Sequence, residues 1–243
     1  MKLAVQLYTL RRDFDSKEGF LALLPKVKAI GFDGVEFAGY HGLSAEEIKK
    51  ALDDAGLEAV GTHVGLDSLK PENLEETLKF HKTIGCKYVG IGGANTSTEE
   101  NLQNVLNIMG NAYNRAKEEG ITIYFHNHTE EFHPVKGSAN KALILDRIKE
   151  VCAIELDTYW SFCAGVDNYN YILENKDKIV HLHIKDGVNR KPKALGEGEN
   201  DLKAVFKAAK EAGFEWLILE NDDPVPTGLE DIERSMNYFK ANL

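Results

Sequence analysis

Cysteine is scarce in this chain: Cys86, Cys152 and Cys163 are the only three in 243 residues, and none forms a CxxC pair. A sparse, odd count argues against a disulfide framework or a thiolate zinc site and fits a reducing compartment. Positive charge is also short. Lys and Arg number 29 against 39 Asp and Glu, a formal charge of -10, which disfavours nucleic acid or an anionic membrane as partner. No apolar run is long enough to cross a bilayer. The apolar run at the N-terminus meets Arg11-Arg12-Asp13 too soon for a secretory leader, so a cytoplasmic protein is expected. The first strand-to-helix turn, Thr9-Leu10-Arg11-Arg12, has no glycine, which argues against a dinucleotide-binding sheet. Gly90-Ile91-Gly92-Gly93 has glycine but not the lysine and hydroxyl of a phosphate loop, and Gly196-Glu197-Gly198-Glu199 reads as a plain loop. Ser161 and Cys163 lack nucleophile-elbow surroundings, which discounts acyl transfer.

What the chain does have is alternation on two scales. Apolar residues make up 43% and charged residues 28%, enough for a sizeable core under a soluble surface. Strands are expected at 3–8, 34–37, 57–63, 88–91, 121–125, 151–156, 179–185 and 216–219. Helices are expected at 16–30, from Ser44 to Gly56, and at 71–84, 98–119, 138–150, 168–175, 201–212 and 229–239. Ser44-Ala45-Glu46-Glu47 is a capping box. Helix–Gly–strand junctions recur at Gly31, Gly56, Gly85, Gly120 and Gly213. About eight strand–helix units with no composition break predict one domain over residues 1–243, a (β/α)₈ TIM barrel of the α/β class.

In such a barrel the C-terminal strand ends gather at one mouth. Those ends carry Gln6 and Tyr8, Glu36, His63, His126-Asn127-His128, Asp157, His183 and Lys185, then Glu220 and Asp222. In Ile179-Val180-His181-Leu182-His183-Ile184-Lys185-Asp186 the period of two puts His181, His183 and Lys185 on one face. Taken singly each is a weak signal, since a turn, a cap or a satisfied buried polar group would also place such a residue there. Together, so many titratable groups at one mouth need compensation, and a divalent cation held by mixed N and O ligands supplies it. Glu36, His63, His128, Tyr8 and Trp160 are candidate substrate contacts. Arg11, Phe37, Tyr40 and Tyr159 are further candidates for the pocket wall.

The chain resembles the xylose isomerase-like barrel superfamily, specifically its sugar phosphate isomerase/epimerase group. The resemblance runs through Gln6-Leu7-Tyr8-Thr9-Leu10-Arg11, Gly31-Phe32-Asp33-Gly34-Val35-Glu36 and His126-Asn127-His128-Thr129-Glu130-Glu131-Phe132. It continues in Glu155-Leu156-Asp157-Thr158-Tyr159-Trp160, His181-Leu182-His183-Ile184-Lys185-Asp186, Gly196-Glu197-Gly198 and Leu217-Ile218-Leu219-Glu220. It implies one divalent metal ion (Mn²⁺, Mg²⁺, Co²⁺ or Zn²⁺) with Asp157, His183 and Glu220 among its ligands. The family's further ligand, a Glu after strand five, falls at His126. Either His126 or Glu131 takes that place, and His126 is preferred. The implied activity is proton abstraction beside a carbonyl of a keto-sugar or polyol-like substrate through a metal-stabilised enediolate. Glu220, His126 or His128 is the candidate base, with Lys185 and His63 adding positive charge near the oxyanion. Alternatives are a lyase or dehydratase on a keto-sugar or keto-inositol, a non-catalytic carbohydrate-binding barrel, and an abasic-site endonuclease, which the acidic charge disfavours. Homo-oligomerisation is compatible with the sequence.

Overall fold

The computed structural model describes residues 1–243. Its barrel strands are β1 (Lys2–Gln6), β2 (Gly34–Ala38), β3 (Glu58–His63), β4 (Tyr88–Ile91), β5 (Thr122–His126), β6 (Ala153–Asp157) and β7 (Ile179–Ile184). A short antiparallel hairpin, β8 (Asp186–Val188) and β9 (Lys191–Lys193), precedes the eighth barrel strand, β10 (Trp216–Leu219). All eight barrel strands are parallel and the sheet closes, β10 pairing with both β7 and β1. The register sets Gln6 opposite Glu36, His126 opposite Glu155 and Asp157 opposite His183, so the polar strand ends meet at one level.

The helices are α1 (Lys17–Ile30), α2 (Ala45–Ala55), α3 (Pro71–Ile84), α4 (Glu99–Glu118), α5 (Ile144–Lys149), α6 (Thr158–Cys163), α7 (Asn168–Asn175), α8 (Leu202–Ala212) and α9 (Gly228–Asn242). Local chemistry starts and stops them. Ser16 accepts from the amide of Gly19, and Ser44 with Glu47 closes the expected capping box. Gly56 ends α2 in the left-handed region at φ 68°, where a side chain would be strained. The apolar stripes of α1 and its successors pack on the outer face of the sheet and form a continuous cluster of 55 buried residues. Each fully buried Leu, Ile, Val or Phe there is worth roughly 1.5–3 kcal/mol, so this layer holds the barrel shut.

The barrel interior is built in tiers. At the bottom Ala4, Val60 and Ile218 form a small apolar plug against Trp216. Above it Tyr124 reaches across the bore because β4 offers Gly90, where a Cβ would overlap the Tyr124 ring. Gly61 likewise leaves room for Tyr124 and Glu36. The polar tiers lie over this floor.

Four local expectations need correction. The helix expected over 138–150 is only Ile144–Lys149, because the Ser138 hydroxyl accepts from the amide of Asn140 and the Asn140 side chain from that of Ala142. Such side-chain bonds offer the backbone an alternative to helix. The first strand stops at Gln6, whose side-chain oxygen accepts from the Tyr8 amide and starts a 3₁₀ turn over Leu7–Leu10. Helix α6 was not expected. Nor was the β8–β9 hairpin, which turns through Asn189 and Arg190, both at positive φ and neither the glycine that would have marked it.

Candidate metal site

Four side chains from four strands converge at the C-terminal end of the barrel: His126 (β5), Asp157 (β6), His183 (β7) and Glu220, which follows β10. Their donor atoms lie within 4.8 Å of one another and all four residues are buried. His126 Nε2 is 3.5 Å from Asp157 Oδ2 and 3.7 Å from Glu220 Oε2, and His183 Nδ1 is 3.0 Å from the same Glu220 oxygen. Both His126 nitrogens are buried without any hydrogen-bond partner. Buried polar groups are rarely left so. Two imidazole nitrogens and two carboxylate oxygens, with orphaned atoms aimed into the gap, are a donor set that fits a divalent cation.

Asp157 serves two ends. Its Oδ1 accepts from the amides of Tyr159 and Trp160 and caps α6, while Oδ2 faces the quartet. Asn127 holds the preceding backbone by accepting from the Asp157 amide at 3.1 Å.

Lys185 supplies part of the compensation that the sequence assigned to metal. Fully buried, its Nζ lies 2.7 Å from Glu220, 2.9 Å from Asp157 and 2.7 Å from Asp222. Burial pushes the Asp157 carboxyl up, but the Lys185 ammonium and His126 more than offset it and bring it down to about 2. Burial likewise opposes ionisation of Glu220, and Lys185 and His183 overcome it and hold the carboxyl well below its usual range.

A second tier lies just below. His183 Nε2 is 2.6 Å from Glu36 and 3.1 Å from Glu155, so both of its ring nitrogens face carboxylates. Burial disfavours its cationic form, yet Glu155, Glu220 and Glu36 raise it well above the ordinary histidine value. Glu36 is buried with its oxygens engaged by Gln6, Tyr124 and His183. His63 places Nε2 2.7 Å from Glu155. Burial lowers the His63 pKa, and Glu36 and Glu155 reverse this and raise it overall. Lys185 is the one fully buried lysine beside the four buried carboxyl groups Glu36, Glu155, Asp157 and Glu220, and the imidazoles of His63 and His183 stand among them, both drawn toward their cationic forms.

A cavity of about 300 Å³ opens above the quartet, walled by Tyr8, His63, His126, His128, Glu220 and Asp222 among others. Tyr8 is 44% exposed, with the Arg11 guanidinium 4.0 Å over its ring. Trp160 stands outside this lining, 6.2 Å from the His128 ring and 5.3 Å from Lys185 Nζ. Phe37, Tyr40 and Tyr159, expected in the wall, are packed away from it: Phe37 and Tyr159 are buried, and the Tyr40 hydroxyl bonds Thr62 and His81. Glu131, the alternative to His126, accepts from the His128 amide at 2.7 Å and stays out of the quartet.

Glu155 went unrecognised as a site residue, although its place two residues before Asp157 on a strand gave the signal. Tyr124 left no such signal; its bond to Glu36 spans 88 residues.

A closed eight-stranded parallel barrel with its polar groups gathered at the C-terminal strand ends is the architecture of TIM-barrel proteins. The chain belongs to the xylose isomerase-like TIM barrel family, whose sequence model matches residues 24–242. Its fold is similar to that of a sugar phosphate isomerase/epimerase from Parabacteroides distasonis, at 24% identity and TM-score 0.82 over 98% of this chain and 97% of the other. It is also similar to a D-allulose 3-epimerase from Methylomonas sp. (16% identity, TM-score 0.74, 100% and 98% covered). A probable 3-DHS dehydratase from Bacillus anthracis shares the fold as well (15% identity, TM-score 0.75, 99% of each chain). No curated protein matches the chain. No helix is long and apolar enough to cross a membrane.

Proposed function

We propose that this chain is a divalent-metal-dependent isomerase or epimerase acting on a keto-sugar or polyol-like substrate. The observation that carries the reading is the buried quartet His126, Asp157, His183 and Glu220, with unpartnered His126 nitrogens, directly under the mouth cavity. His126, Asp157, His183 and Glu220 would hold the cation, which would supply Lewis-acid polarisation of the substrate's carbonyl.

The chain's own groups do the rest. Glu36 takes the Nε2–H of His183 and so fixes which nitrogen the ring offers to the quartet. Lys185 keeps Asp157 and Glu220 ionised; being fully buried and tied to three carboxylates, it acts on them rather than on substrate. His63, anchored to Glu155 through Nε2, has Nδ1 3.5 Å from Gln6 Nε2 and beside Gly92 at the cavity wall, so it is a candidate for handling a proton there. His128 on the neighbouring wall and the Glu220 carboxylate also line the cavity, together with His126 and Asp222.

A second reading, lyase or dehydratase, is favoured by one feature. His126 stands where the family's strand-five glutamate is expected, so no pair of glutamates faces the substrate from strands five and eight. Elimination needs one base beside the carbonyl and a leaving group, not that pair.

The test is metal content of the purified protein beside Asp157→Ala and His183→Ala, followed by deuterium incorporation into keto-sugars in D₂O. About one equivalent of divalent metal, lost in both variants, with metal-dependent exchange beside the carbonyl, is the expected result. Loss of a β-substituent in place of exchange would assign the lyase. Metal without any turnover would assign a carbohydrate-binding barrel, and no metal after reconstitution with Mn²⁺, Co²⁺ or Zn²⁺ would sink the metal mechanism.

A further inference from the structure

A larger cavity, about 590 Å³, opens beside the mouth between the loops that follow β4 and β5. His128 lines both cavities and is the wall they share. Opposite it run two glycines, Gly92 on the mouth side and Gly93 on the cleft side. A Cβ at Gly92 would come within 2.9 Å of His63 Nδ1. Gly93 sits at φ 151°, with His128 at 3.5 Å from where its Cβ would be. The glycine pair that carries no phosphate-loop chemistry thus bounds both cavities beside His128 without adding a side chain to either.

The chemistry of the cleft is uniform enough to name a ligand class. Its floor holds buried Val135 and Ile144 beside buried Thr96 and Glu131. Its only lysine, Lys136, and the His133 imidazole are on the exposed rim, and Glu130 and Glu131 stand in the same wall. The mouth cavity has no lysine or arginine in its lining. A phosphate needs buried cations or a cradle of amides and finds two carboxylates here. A neutral ring with one apolar face and hydroxyls at its edge finds an aliphatic floor, a threonine hydroxyl and carboxylate acceptors.

We infer that the cleft is a second subsite, and that the substrate is a neutral two-ring glycoside whose keto-sugar occupies the mouth while the attached ring lies beyond His128 in the cleft. The inference rests on the proposed sugar chemistry of the mouth. It separates this chain from an enzyme for sugar phosphates, because neither cavity offers a phosphate a buried lysine or arginine.

The experiment is isothermal titration calorimetry of the Mn²⁺-supplemented protein. The probes are D-fructose, D-fructose 6-phosphate, and the ketose disaccharides that carry glucose on C3, C4 or C6 of fructose. At least one disaccharide is expected to bind about tenfold or more tighter than D-fructose, because the second ring adds contact area without new reorganisation. Ala94→Trp, which fills the cleft, and the gentler Thr96→Val should each reduce that advantage. D-fructose binding with no gain for any disaccharide would overturn the second subsite and leave the mouth reading standing. A larger gain for D-fructose 6-phosphate would overturn the neutral ligand class. Failure of every sugar to bind would overturn the mouth reading, and this inference with it.

Discussion

Lys185→Met removes a fully buried ammonium and keeps most of the side chain's volume. The ammonium touches Asp157, Glu220 and Asp222 at 2.7 to 2.9 Å. Asp222 is 31% exposed and can be rehydrated, but Asp157 and Glu220 are out of water and would be left facing each other. Removing one partner of a buried ion pair costs about 3–5 kcal/mol, because the remaining charge stays desolvated. At roughly 2–4 °C per kcal/mol for a chain of this size, Tm of the metal-free variant should fall by roughly 6–20 °C. The pH dependence has a definite sign. The folded-state pKa values of Asp157 and Glu220 are depressed, that of Asp157 to about 2, so the stability they confer is present above the ordinary carboxylate pKa and fades as pH falls toward 2. The gap between wild type and variant should therefore narrow below about pH 4. Added Mn²⁺ or Zn²⁺ should stabilise the variant more than wild type, since a cation then takes over the balancing of both carboxylates. Thermal and urea unfolding with chelator and with metal, across pH, measures all three. A loss under about 1 kcal/mol, or a gap that stays constant at low pH, would show that Asp157 and Glu220 do not depend on Lys185.

Two other substitutions probe the same logic. His81 is 2% exposed, with Nδ1 2.6 Å from the Thr77 carbonyl and Nε2 2.8 Å from the Tyr40 hydroxyl. Burial lowers its pKa to about 4, so its contribution is complete above the unfolded value of about 6.5 and is lost as pH falls through 4. His81→Gln should flatten the stability profile over that window by about 3 kcal/mol, and an unchanged profile in urea titrations would refute the assignment. Glu36→Gln should weaken divalent metal binding about 10- to 100-fold by loosening His183, as read by competition against a chelating dye; unchanged affinity would mean that His183 needs no carboxylate behind it.

Local signals made much of this molecule readable in advance. The capping box at Ser44, the glycine stops and the two hydrophobic periods are short-range features, and a strand–helix alternation built from them has few ways to close. Helix α3 begins at the proline and ends at the isoleucine expected of it. The failures were local too. Ser138 and Asn140 bond their own backbone where helix was expected, and Asn189-Arg190 takes a turn that glycine usually marks.

The sequence by itself determined the barrel class and the roster of polar strand ends, because alternation and strand-end position are properties of neighbours along the chain. Tertiary structure alone decided how those groups divide. It ties Lys185 to three carboxylates, stacks Glu36 and Glu155 behind His183, and excludes Glu131 from the quartet while admitting His126. It also sets the cleft beyond His128, a space between two loops that no single segment encodes. Those outcomes depend on register and on distances across the bore, between residues as much as 147 positions apart, where electrostatics in a desolvated interior selects the pairings.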